Sequence, residues 1–83
     1  MLDTREDLIE HLEENMRMIQ QLRYFEGVMG TRYRIALANT YETQDFRQEV
    51  LTSFRDYLNC LTENISARLR LDDLLQKAIR EAG

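Results

Sequence analysis

The chain has 83 residues with one cysteine, no proline and three glycines, and its 15 acidic residues against 11 basic ones leave a net charge of −4. A single cysteine excludes an intramolecular disulfide and a multi-cysteine metal site within one chain, and the negative balance excludes the strongly basic surface of a general nucleic-acid or anionic-membrane binder. A chain this short struggles to hide enough apolar surface to be very stable alone, so composition predicts one helix-rich domain over residues 1–83 that gains support from a partner chain.

The opening segment, MLDTREDLIEHLEEN, carries six acids and no apolar run. It reads neither as a secretory signal nor as a spanning helix. The expected setting is therefore the cytoplasm, with no membrane partner, no cofactor and no metal. Within DTREDLIEHLEENMRMIQQLRYF, Asp3 stands three positions before Glu6 and Thr4 three before Asp7, the spacing of a helix cap and capping box. Leu8, Leu12, Ile19 and Leu22 then fall on one helix face, and Ile9, Met16 and Met18 widen it. That stripe is broader than the seam of a two-stranded coiled coil, which implies more than one neighbour.

Residues 24–42, YFEGVMGTRYRIALANTYE, read two ways. The alternation of Tyr33, Ile35, Leu37 and Tyr41 with Arg32, Arg34, Ala36 and Ala38 has the period of a half-buried strand. A strand there needs a partner of similar length, and the only other alternating segment is the five-residue ARLRL, so the strand reading fails. As a helix, Phe25, Met29, Tyr33 and Leu37 continue the first stripe, with Ala36 permitting close approach. Gly27 and Gly30 each cost roughly 1 kcal/mol relative to alanine in a helix interior. They predict a kink or break in this region, or a place where another backbone packs closely.

The run TYETQDFRQEVLTSFRDYLNCLTENISARL carries Phe46, Val50, Phe54, Leu58, Leu61 and Ile65 at helical steps, with Thr43 or Asp45 able to cap its start. A face of Leu58, Leu61, Ile65, Leu69, Asp72, Leu75 and Ile79 predicts continuation of this helix with local distortion across residues 66–72. Two long helices joined near NTYETQ predict an all-α fold: a long antiparallel helical hairpin, kinked near Gly27 to Gly30. Folding the chain there sets the acids from Glu6 to Glu14 beside Arg68, Arg70, Lys77 and Arg80, and Arg32 and Arg34 near Glu49. A hairpin leaves part of each stripe uncovered, and a symmetric dimer forming a four-helix bundle covers it.

His11 lies among Glu10, Glu13 and Glu14, but bundle di-metal sites place a glutamate three residues before the histidine, and position 8 is leucine. Cys60 has no histidine nearby in sequence to activate it. Ser53 and Ser66 lack a glycine elbow, and GVMG lacks the lysine of a phosphate loop. No catalytic residue is therefore predicted.

The expected function is a small non-enzymatic interaction module, such as an adaptor, chaperone, inhibitor or regulator. Its surface is expected to be apolar, with Met16, Met18, Leu22, Phe25, Met29, Tyr33, Phe54 and Leu58 meeting a second copy of the chain or a helical protein partner. The alternative is a dimeric RNA- or DNA-binding regulator using Arg23, Arg32, Arg34, Arg68 and Arg70 beside Tyr24 and Tyr33, since arginine holds phosphates and tyrosine stacks on unpaired bases.

Overall fold

The computed structural model of the chain describes residues 4–82. It contains two helices, α1 (Thr4–Ala38) and α2 (Gln44–Ala82), joined by residues 39–43. Contacts between them run from Arg47 with Leu37 beside the turn, through Tyr33 with Phe54, to Asn15 with Arg68 far from it, so the helices lie side by side and antiparallel. The fold is the all-α hairpin that the periodicity implies. Residues 31–38 belong to α1, and the alternating segment at 67–71 lies within an uninterrupted α2.

The termini of the helices explain where the chain turns. Thr43 caps α2: its hydroxyl accepts from the Phe46 backbone N–H at 3.1 Å and its carbonyl from that of Arg47 at 3.1 Å. Asp45 adds a negative charge in the first turn, where the helix dipole favours it. At the other side of the turn, α1 ends without a left-handed residue, since no described residue has positive φ. The Asn39 backbone N–H donates to the Ala36 carbonyl at 3.3 Å, and side chains add to this. The Tyr41 hydroxyl donates to the Ala36 carbonyl at 3.0 Å, and the Arg47 guanidinium donates to that of Leu37 at 3.3 Å. Of the residues expected to cap α1, Asp3 lies outside the described residues, and Thr4 is already helical.

Burial traces a seam along each helix. On α1 it runs through positions 8, 12, 15, 19, 22, 26, 29, 33 and 36 and on α2 through 47, 51, 54, 58, 61, 65, 68, 72, 75 and 79, with positions 7, 9, 18, 28, 30, 50, 52 and 78, each next to one of these, half-buried as well. Both series step by four and three alternately, the 3.5-residue period of a two-stranded antiparallel seam. The seam differs from the expected stripes at particular places. Arg68 occupies a seam position and Leu69, 40% exposed, does not; Leu51 is buried, whereas Phe46 and Val50 stand beside the seam.

α1 runs without a break through Gly27 and Gly30. A Cβ added at either glycine would meet nothing within 4 Å, so neither serves close packing inside the hairpin.

The result is a rod of 60 × 20 × 16 Å with a radius of gyration of 18.6 Å, against about 12 Å for a compact domain of this length. Its core is one side chain deep: Ile19, Ala36, Leu51, Leu61 and Ile65 are the buried apolar residues among those described, and no large side chain is fully enclosed. The accessible surface is 6549 Å². A compact monomer of 9.9 kDa exposes about 5,200 Å², so this chain leaves roughly 1,300 Å² more in contact with water than its mass requires.

Because the space around both glycines is open, Gly27→Ala and Gly30→Ala are each expected to stabilise the chain by about 0.5–1 kcal/mol. A raised urea midpoint with unchanged helical content checks this. A lowered midpoint at either position would show that the missing side chain is needed in solution.

Candidate functional site

The seam has polar residues in it, and these align the two helices. Asn15 is 3% exposed. Its amide Nδ2 donates to the Arg68 backbone carbonyl at 2.8 Å, and its Oδ1 accepts from the Arg68 guanidinium at 3.1 Å. Arg68 Nε in turn donates to Asn64 Oδ1 at 3.2 Å. Further along, Thr62 donates its hydroxyl hydrogen to Glu26 at 2.9 Å. Among the described residues no ion pair joins the helices; His11 to Asp7, at 3.7 Å, lies within α1. Hydrogen bonds and packing fix the alignment.

Either side of the seam is a flank, and the two flanks differ in chemistry. One is made by the residues immediately before each seam position. On α2 these are 46, 50, 53, 57, 60, 64, 67, 71, 74 and 78, of which only Ser53 and Asn64 are polar. On α1 the same flank carries Met18, Phe25, Val28 and Ile35 beside Asp7, His11, Glu14, Gln21 and Arg32. Two grooves lie along it. One, of about 450 Å³, is bounded by Met29, Phe46, Val50, Phe54 and Tyr57; the other, of about 400 Å³, by His11, Met18, Arg68, Leu71 and Leu75. Tyr41 fixes the rim of the first by packing edge-on to Phe46 with ring centroids 5.9 Å apart.

The opposite flank, formed by the residues after each seam position, is polar on α2 at every place except Leu69. It holds a smaller groove of about 210 Å³ bounded by Met16, Ile19, Arg23, Leu69 and Asp72. Asp72 accepts from Gln76 at 2.7 Å through Oδ2, while its buried Oδ1 has no hydrogen-bond partner.

The structure distributes the expected interface residues over three places. Leu22, Met29, Tyr33, Phe54 and Leu58 are half-buried in the seam of the single chain; the Tyr33 and Phe54 rings lie 6.2 Å apart across it. Met18 and Phe25 belong to the apolar flank, with Phe25 51% exposed and Tyr24 edge-on to it at 6.3 Å. Met16 belongs to the polar flank. Phe46, Tyr57, Leu71 and Leu74, all exposed, were not among the expected contacts. They are 11, 14 and 3 residues apart, close to whole numbers of helical turns, which places them on one helix side, a signal obscured by the larger stripe next to it.

The five arginines of the nucleic-acid reading do not share a face. Arg23 and Arg34 lie toward the polar flank, Arg32 toward the apolar one, Arg70 on the outside of α2, and Arg68 is engaged in the seam. His11 and Cys60 are exposed, and no cluster of three or more metal-ligating side chains occurs among the described residues. No described helix is long and apolar enough to cross a membrane. No protein-family model matches the chain, and no curated protein or solved structure shows significant similarity to it.

Asn15→Ala removes both bonds to Arg68 and is expected to cost about 1–3 kcal/mol, measured as a lowered urea midpoint. Replacing both partners, Asn15→Leu with Arg68→Leu, is expected to recover stability while permitting alternative registers. Doubled amide resonances in the NMR spectrum would report those registers; a single set of peaks would show that packing alone aligns the helices.

Proposed function

We propose that the chain is a small non-enzymatic interaction module that acts by presenting an apolar helix face, first to a second copy of itself in a four-helix bundle and then, as a bundle, to a helical protein partner. The observation that supports this reading is the surface left over by the hairpin. Roughly 1,300 Å² beyond the requirement of a compact monomer exceeds the ~800 Å² per partner of a standard protein interface. Much of it belongs to large apolar side chains: Phe25, Ile35, Phe46, Tyr57, Leu71 and Leu74 are between 44% and 64% exposed. Large apolar side chains exposed along one flank mark an interaction site in a soluble protein.

Adaptor, chaperone, inhibitor and regulator all work through such a face. The reading places the module in a reducing aqueous compartment such as the cytoplasm, with its one exposed thiol, Cys60, kept free. Gly27 and Gly30, which meet nothing within the hairpin, leave α1 room to bend or to receive a neighbouring helix on assembly. Binding of nucleic acid through the arginines is less favoured, because they are spread around the rod and one is committed to Asn15.

Sedimentation equilibrium is expected to give a particle of about 20 kDa, twice the 9.9 kDa chain. A mass of one chain persisting at millimolar concentration would remove self-association and with it the bundle.

A further inference from the structure

The apolar flank of α2 carries a self-complementary size pattern, and from it we infer that two copies pack with α2 antiparallel to α2 of the second copy about a twofold axis between Cys60 and Asn64, at the height of position 62. This rests on the self-association proposed above and specifies its face and direction.

Two observations select the face. The excess surface of the chain is sufficient for a dimer interface. The flank preceding the seam on α2 is apolar at eight of its ten positions, whereas the flank following it is polar at nine of ten. Burying the second would strand polar groups away from water; burying the first removes large apolar side chains from it.

The direction follows from residue size. When the stripe is laid antiparallel on its own copy about position 62, each residue meets the one at which the two numbers add to 124. Phe46 then faces Ala78, Tyr57 faces Ala67, and Leu71 faces Ser53. Each of these bulky side chains is set against a small one, as interdigitated packing requires. The remaining stripe residues pair Val50 with Leu74 and Cys60 with Asn64 next to the axis. Shifting the copies by one heptad loses this match: Phe46 would face Leu71, and Ala78 would overhang. On α1, Phe25 lies at about the same height on the rod as residue 62, since Glu26 bonds to Thr62, so the two Phe25 rings approach the same axis.

Spin-label distances in the dimer of the 83-residue chain test the arrangement. Both labels go on the outer side of α2, away from the stripe, in a Cys60→Ser background: Glu63→Cys near the axis and Lys77→Cys far from it. With α2 antiparallel about position 62, the Glu63→Cys labels are expected within about 20 Å of each other, one interhelix spacing plus two linkers. The Lys77→Cys labels are expected about 45 Å apart, from a rise of 1.5 Å per residue. Similar distances at the two positions would mean that the twofold axis runs along the helices, and would overturn this arrangement while leaving dimerisation in place. Absence of any dipolar coupling together with a single-chain mass would overturn both.

Discussion

The reciprocal bond between Asn15 and Arg68 is the interaction on which the alignment of the hairpin depends. Apolar side chains repeating every 3.5 residues hold two helices together, but they pack nearly as well after a slip of one heptad. A buried amide removes that freedom. Its Nδ2 and Oδ1 are both satisfied only opposite Arg68, and any slip leaves a desolvated polar group without a partner, a loss of order 1–3 kcal/mol. The two flanks, and the grooves along them, exist in their present form because this register holds.

The same economy explains why the seam is not apolar throughout. Asn15, Glu26, Arg47, Arg68 and Asp72 all occupy seam positions. Four of them make hydrogen bonds across the hairpin or its turn, and Asp72 bonds within α2. One oxygen of Asp72 stays buried and unpaired, so that position works against stability. With only five buried apolar residues among those described, the single chain has little to offset such a defect.

How much of this was legible beforehand depended on which residues carried the period. Leu8, Leu12, Ile19 and Leu22 reveal α1, and Leu58, Leu61 and Ile65 reveal α2, because apolar spacing and burial coincide there. The hairpin and the place of its turn follow from those runs. The exact seam does not, since polar side chains interrupt it and exposed ones such as Leu69 and Phe46 lie one position to its side. One residue is a rotation of about 100° around the helix, so an apolar side chain one position off the seam can still read as part of a broad stripe while lying at the surface. The pairing of Asn15 with Arg68 leaves no local trace at all, because the two residues are 53 positions apart. The glycines carry a conformational cost in the sequence, whereas the helix around them is continuous and a Cβ at either would meet nothing within 4 Å.

Arg47 begins the seam on α2 and also closes the turn by donating to Leu37, ten residues earlier. Bringing two points together costs entropy that grows with the logarithm of the intervening length, so joining residues 53 apart costs about 1.5 kcal/mol more than joining residues ten apart. Zippering from the bend toward the free ends is thus the inexpensive route to the native state. The contact that decides alignment comes late along that route, when most of the oily surface has already met its counterpart and a misaligned pair must partly reopen before it can be corrected.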